Sequence, residues 1–470
     1  MSTGGIVTGS VARMIQREET GAETYARSAE RSLMSARNVS ETLGDSCQSV
    51  APWTLYSAWH RWVFLGLLLA VTTCSFFDYF VLSVLLEPIK REFRVSDTLL
   101  GLLSGFGFAL LYALFAFPIA RWSDRGDRRT VMTVALTLWS VMTSLCGMTR
   151  TYGQLALTRL GVGAVEPGAV PPAQSLIADY FPPEQRATAL AILNQGGSAG
   201  GWLVGVVWGG YLASAYGWRT TFILAGLPGI VLAVLVYMVL AEPRKRLGFP
   251  RARLRAESLS DTVCALRSKS SFLFVLLGIS VYCIFAFGVA VFLPSFMLRT
   301  LQATMIQVST TWGLVISAAN LLGAVVGGWW ADRLSRRDVR WYGWFPALAC
   351  VTGGIAYWMA LRVSTFRSFL VVDFMAEAAL AIGLPASFAL VHSVCGDQRR
   401  TTAVATVETL IMVVGAGGGP LVAGMLSDVL FPFYKEESIR YALLTMIAFL
   451  VPAAAAFVWA ARSMPHDLER

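Results

Sequence analysis

Apolar residues come in twelve runs long enough to cross a bilayer, separated by short polar or charged stretches. The runs fall at about 62–87, 98–121, 130–149, 153–178, 186–213 and 218–241, then 272–298, 306–331, 342–361, 366–392, 401–427 and 439–461. A helix needs roughly 20 predominantly apolar residues to span the hydrocarbon, so each run predicts one transmembrane helix. Span 4 is interrupted by Pro167, Pro171 and Pro172, which membrane helices tolerate where neighbours re-satisfy the freed backbone groups. The predicted organisation is an N-terminal tail over 1–58, a six-helix bundle over 59–241, a charged connecting loop over 242–271, a second six-helix bundle over 272–462 and a tail over 463–470.

Composition agrees with this pattern. The 470 residues are 56% hydrophobic and 14% charged, with a mean hydropathy of +0.60. A soluble domain carries roughly 25% charged residues. The net charge of +9 raises the question of nucleic acid. The basic residues sit in short loops between apolar runs, so membrane topology accounts for them and no nucleic-acid partner is expected. With the N-terminus placed inside, the internal loops hold about twice as many Lys and Arg as the external ones. Both termini are therefore expected in the cytoplasm, with the chain in a bacterial inner membrane. The polar first 58 residues show no secretory signal and read as a disordered cytoplasmic tail. None of the seven cysteines forms a CxxC pair, so they read as small buried apolar residues.

The two halves repeat. WSDRGDRR runs from Trp122 to Arg129 after span 2, and WADRLSRR from Trp330 to Arg337 after span 8. The start of span 5, RATAL from Arg186, echoes the start of span 11, RTTAV from Arg400. Two six-span repeats joined by a charged loop are the layout of a two-domain rocker, with its site between the halves.

The DRxxRR element in both copies resembles the signature loop of the major facilitator superfamily. The second copy has Gly328 four residues before Asp332, whereas the first has Ala120 where glycine is usual. Within that superfamily the chain is similar to the bacterial branch of the spinster-like transporters. The residues that carry the likeness are DYFVLSVLLEPIKREF from Asp78, RLGVGAVEPGAVPPAQSLIADYFPPEQR from Arg159 and GWRTTFILAGLP from Gly217. Members usually have arginine after the span-1 aspartate and alanine after the span-4 glutamate; here the residues are Tyr79 and Pro167. The resemblance implies an all-α fold of twelve membrane helices in two pseudo-symmetric bundles, and proton-linked transport. Animal members are associated with lysolipids and sphingoid phosphates.

Six charged residues fall well inside predicted spans: Asp78, Arg159, Glu166, Asp373, Glu377 and Glu408. Each costs at least about 2.5–3.5 kcal/mol at the bilayer centre, so each is a functional candidate. Arg159 and Glu166 are seven residues apart, two turns along one face of span 4. Asp78 on span 1 falls between them in depth, so two carboxylates are expected around one guanidinium. Burial raises a carboxylate pKa and a nearby arginine lowers it, a balance suited to proton coupling. The alternative for this trio is a static buried salt bridge.

Asp373 and Glu377, four apart on span 10, are expected to line the cavity from the second half. Phe77, Tyr79, Asn194, Gln195 and Asn320 are the other candidate cavity residues. Asp124, Arg125, Arg128, Arg129, Asp332, Arg333, Arg336 and Arg337 are expected to form an inner gate, with Glu408 against its arginines. His392 reads as structural. The glycine clusters GGSAGG from Gly196 and GAGGGP from Gly415 are explained by close helix packing. No metal constellation, nucleotide fingerprint or nucleophile elbow appears, so neither a cofactor, a metal nor an enzymatic activity is expected.

The function expected is a monomeric, proton-coupled carrier moving a lysolipid-like amphipathic anion or a small organic acid. A drug or metabolite efflux antiporter is the alternative within transport. The GAGGGP of span 11 resembles the glycine-proline motif of antiporters, which carry it on span 5. A non-transporting sensor on the same fold is the alternative from another class.

Overall fold

The structure is a computed structural model that describes residues 52–243 and 267–468. Most of the predicted tail over 1–58 and of the loop over 242–271 lies outside those residues. No strand occurs among the described residues. Helix is the expected form in lipid, because it satisfies backbone N–H and C=O groups within one segment.

Among the described residues, eight helical stretches are long and apolar enough to cross a membrane. Pro183–Val239 contains 57 residues, which would run about 85 Å if straight, nearly three hydrocarbon thicknesses. It bends at Gly217, whose φ of 79° and ψ of 165° only glycine adopts without strain, and so contributes two crossings. Thr406–Asp467 likewise holds two crossings, broken at Lys435. Helical segments over 152–180 and Trp341–Ala360 bring the described total to twelve.

The crossings are α1 (Ala58–Phe93), α2 (97–125), α3 (Arg128–Cys146), α4 (152–180), α5 (183–216), α6 (218–239), α7 (Ser270–Arg299), α8 (307–335), α9 (Trp341–Ala360), α10 (Phe366–Cys395), α11 (406–434) and α12 (438–468). Side-chain caps start several of them. Ser57 caps α1, Ser96 α2, Asp127 α3, Thr151 α4 and Thr365 α10, each accepting from an otherwise orphaned backbone N–H. The outer faces are apolar: Met238, Val371 and Phe433 are 74%, 64% and 80% exposed, as a lipid-facing surface requires.

Glycine sets the closest helix approaches. Gly197, Gly201, Gly205 and Gly209 form a four-residue-spaced stripe on α5 against Thr72, Phe76, Phe77 and Val81 of α1. A Cβ on Gly201 would sit 2.3 Å from that of Phe76. This is the small-xxx-small packing expected for GGSAGG. On α8 the close approach is made by Gly323 and Gly327 against α10, whereas Gly328 faces open space. Among the described residues, four helices contain π turns: α2 at Leu102–Phe106, α5 at Ile192–Gly196, α8 at Gln307–Trp312 and α11 at Ile411–Gly418. Helices α2 and α8 occupy matching places in the repeat, as do α5 and α11. All four face the other half.

Candidate functional site

In the N-terminal half, α1, α3 and α4 bring the three predicted coupling residues together. Arg159 Nη1 donates to Asp78 Oδ2 at 2.8 Å. Thr143 of α3 donates to the other oxygen of Asp78 at 2.7 Å. Glu166 lies beyond Arg159 on the same face of α4 and accepts from the Ser75 hydroxyl. Ser75 and Asp78 are three residues apart and share a face of α1. Asp78, Arg159 and Glu166 are 2%, 1% and 6% exposed, so the trio is removed from bulk water.

Local backbone places Glu166. The α-helix of α4 stops at Val165, and Glu166–Gly168 forms a 3₁₀ turn before helix resumes at Val170. Pro167, Pro171 and Pro172 cannot donate backbone hydrogen bonds, so a regular ladder cannot run through this segment. Gly163 and Gly168 let the broken helix approach its neighbours: added Cβ atoms would lie 2.6 Å from the Phe108 carbonyl oxygen and 2.4 Å from the Ala135 Cβ. Pro167, in place of the usual alanine, thus sits in the turn that presents Glu166.

The trio is incompletely satisfied. Nε and Nη2 of Arg159, Oε2 of Glu166 and the Tyr79 hydroxyl are buried without a hydrogen-bond partner. Tyr79, in place of the usual arginine, leaves Arg159 as the trio's one cation. Its ring packs on Phe108 of α2 and, across the interface, on Phe287 of α7 at 5.9 Å. The Arg159 guanidinium lies 5.8 Å from the Phe108 ring centre. Tyr112 of α2 is within electrostatic reach of both Glu166 and Glu408 of α11. Glu408 is exposed and has no ion pair among the described residues, so it does not meet the gate arginines as expected.

The other cavity candidates divide. Gln195 and Asn320 are exposed, and Asn194 is part-buried and accepts from Gln174 of α4 at 3.1 Å. Phe77 belongs to the packed core at 7% exposure, because the glycine face of α5 presses against its turn of α1. Asp373 is also interior, fully buried and bonded to Trp312. Both depart from the cavity expectation in this conformation. Glu377 is part-buried and accepts from Tyr357 and, at 3.4 Å, from Asn320.

The predicted gate residues lie at one end of the bundle. The side chains of Asp124 and Asp332 fall outside the described residues. Arg128 is fully buried and binds within its own half, to Asp179 and Ser175 of α4 and to Glu242 beyond α6. Arg129 contacts Asp127 and the Tyr237 ring, and Arg333 the Trp329 ring.

At the opposite end, the expected outer one, the halves are tied by a charged cluster that sequence reasoning missed. Arg299 of α7 donates to Glu87 of α1 at 2.6 Å and to both oxygens of Asp97 of α2 at 2.8 Å. Lys90 adds a bond to Asp97 at 2.7 Å. Asp428 of α11 accepts from the backbone N–H groups of Asp97 and Thr98, and Ser427 donates to Asp97. Backbones meet beneath this cluster, since an added Cβ on Gly101 would be 2.3 Å from the Pro420 oxygen. In the sequence these charges sit at the ends of apolar runs, where solvation is the ordinary reading.

The geometry has close relatives. The profile of the Major Facilitator Superfamily matches residues 68–360 and again 275–470. An MFS-type efflux pump of Mycolicibacterium smegmatis is 33% identical over 408 residues, covering 85% of this chain and 92% of that protein. The crystal structure of a bacterial homologue of the human lysosomal transporter spinster, inward-facing and unoccupied, superposes with a TM-score of 0.79 at 25% identity. That match covers 88% of this chain and 99% of the other. The same homologue in its inward-facing and occupied form gives 0.76 at 26% identity, with the same coverage.

Proposed function

The chain belongs to the major facilitator superfamily and is a multi-pass membrane transporter of that kind; on that premise we propose that it is a proton-driven exporter of amphipathic compounds, working by alternating access. The observation that carries this reading is the charge count around Arg159. Two carboxylates, Asp78 and Glu166, share one guanidinium, and the arginine is already engaged by Asp78. Glu166 is held by a neutral hydroxyl alone. A buried carboxylate without its own counter-ion suits a group that takes up and gives up one proton per cycle. Glu408 adds a further negative group within electrostatic reach of Tyr112, so among the described residues here three carboxylates accompany the one guanidinium of Arg159. That balance favours neutral or cationic amphipaths exchanging against protons, and the similarity to an efflux pump points the same way.

In this reading 59–241 and 272–462 move as two bodies, the termini lie in the cytoplasm of a bacterial inner membrane, and the unit is a monomer. The chain as described is closed at its outer end by the Arg299 cluster. The Asp124 and Asp332 loops would hold the inner end in the alternate state.

A second reading keeps a lysolipid-like anion or small organic acid as substrate. It is favoured by the two unpartnered donors of Arg159, which an anionic headgroup would satisfy. The experiment begins with thermal stabilisation of purified protein by lysolipids, sphingoid bases, organic acids and lipophilic cations. The best binder is then added to proteoliposomes holding a pH gradient. Collapse of the gradient supports proton-coupled exchange. Transport of the binder that leaves the gradient intact would rule that coupling out. A preference for lipophilic cations supports the export reading, and a preference for anions supports the second.

A further inference from the structure

A second group of acids lies in the C-terminal half, away from Arg159. Asp373 and Glu377 are one turn apart on α10, on the side that packs against α8 and α9. Asp373 is fully buried. Its Oδ2 accepts from the Trp312 indole at 2.8 Å, and its Oδ1 is buried without a partner. Glu377 accepts from the Tyr357 hydroxyl of α9 and from the Asn320 amide of α8. Tyr282 of α7 is also near Glu377, and Cys283 of α7 and Cys350 of α9 lie near Tyr282; none of these supplies positive charge. Neither carboxylate has a Lys, Arg or His partner among the described residues.

Three other buried carboxylates among the described residues have a cation beside them. Asp78 has Arg159, Asp97 has Arg299 and Glu242 has Arg128. The pair on α10 lacks one, although like charges a turn apart repel. The groups pointing at it also decide which cation fits. The Trp312 N–H, the Tyr357 O–H and the Asn320 N–H₂ are donors, whereas a sodium or calcium ion needs a shell of oxygen acceptors. These donors offer no oxygen shell to a metal ion, whereas a proton held by one acid and accepted by the other needs only the two carboxylates and relieves their repulsion.

Trp312 connects the pair to the interface. It ends the π turn of α8, is 1% exposed, and meets Trp202 of α5 edge-on with ring centres 5.7 Å apart. Trp202 packs in turn on Phe80 of α1 at 4.5 Å. The α5–α8 contact is tight at this level, since an added Cβ on Gly313 would lie 3.0 Å from Val206. The indole that bonds to Asp373 is therefore also a wall of the contact between the halves.

We propose that Asp373 and Glu377 form a second proton site, holding one shared proton, and that Trp312 passes its occupancy to the α5–α8 interface. The pair carries one negative charge with the proton bound and two without it. When the proton leaves, Asp373 becomes a stronger acceptor for the indole, and the α5–α8 contact tightens. The use of this proton in transport rests on the proton-coupled reading above; its binding does not.

The test is proton uptake by the purified full-length chain on acidification, with the carboxylic acid C=O band followed by infrared difference spectroscopy. Wild type, Glu166→Gln and the double variant Asp373→Asn, Glu377→Gln are compared. The double variant should take up one proton fewer per molecule and lack a C=O band that Glu166→Gln retains. Unchanged uptake and an unchanged band overturn the site. If the double variant fails to fold, Asp373→Asn alone should remove the shared-proton band, and its persistence overturns the site equally. Replacing choline by sodium at constant pH should leave uptake unchanged; displacement of the proton would reassign the site to a metal cation and overturn the proposal. Trp312→Phe should keep the band but abolish any pH-dependent change in spin-label distance between the outer ends of α5 and α8. Persistence of that change removes the relay. Because binding is read without transport, these results stand apart from a failure of proton-coupled export, which would show in proteoliposomes.

Discussion

Arg299 in the C-terminal half grips Asp97 in the N-terminal half through two hydrogen bonds of 2.8 Å, one to each carboxylate oxygen. Asp97 also opens α2, and its backbone N–H is capped by Asp428 from the other half. One residue thus binds the opposite half by side chain and backbone together. Glu87 joins the same guanidinium at 2.6 Å, and all three side chains are nearly withdrawn from solvent. Such a cluster is stable only while the outer ends of α1, α2, α7 and α11 are together.

Arg299→Ala should therefore favour the outward-open form. Removing one partner of a buried ion pair costs about 3–5 kcal/mol, here charged to the closed state alone. Spin labels on the outer ends of α2 and α7 should report longer distances. An unchanged distance distribution would assign the cluster to general stability.

Gly424→Val tests the same closure by shape. A Cβ at this position would lie 2.2 Å from the Asp97 carbonyl oxygen, a contact with backbone that cannot be relieved by a rotamer change. The variant should fold, lose the outer-closed state and admit impermeant thiol reagents to a cysteine placed at Ser104. Protection equal to that of the parent cysteine variant would show that the halves tolerate the extra atoms.

Arg128 should behave differently. It ties α3, α4 and the end of α6 within one half through Asp179 and Glu242. Arg128→Ala should lower thermal stability by about 3–5 kcal/mol because the buried ion pairs to Glu242 and Asp179 are broken. Distances across the outer end should not move. A shift in those distances without loss of stability would instead make Arg128 a gate residue.

Much of this architecture is legible in the chain. Twelve crossings follow from run length, and the repeat from Trp122 and Trp330. Asp78, Arg159 and Glu166 stand out because charge is costly in an apolar run, and their spacing sets their shared level. The Arg299–Asp97 grip is not legible in the same way. Charges at the ends of apolar runs normally meet water, and only the approach of two distant helices removes it. Phe77 misled for a related reason: an aromatic beside Asp78 reads equally as cavity or core until the glycine stripe of α5 is set against it. The π turns leave no periodicity signal, since each shifts the register within one helix. Trp312 becomes informative only once Asp373 is found beside it.

The central claim is that the Asp78–Arg159–Glu166 trio carries the coupled proton. The measurement that tests it most directly is proton flux in proteoliposomes containing Glu166→Gln, recorded with a pH-sensitive dye while substrate moves. The account predicts that substrate exchange persists and that the proton flux accompanying it falls at least tenfold, which corresponds to about 1.4 kcal/mol or more of lost coupling. The double variant Asp78→Asn, Glu166→Gln should be no more impaired in coupling than the single one, because strongly interacting carboxylates titrate as a pair. Full proton-coupled transport by the double variant would contradict the account and leave the trio as a buried salt bridge that fixes α1 against α4.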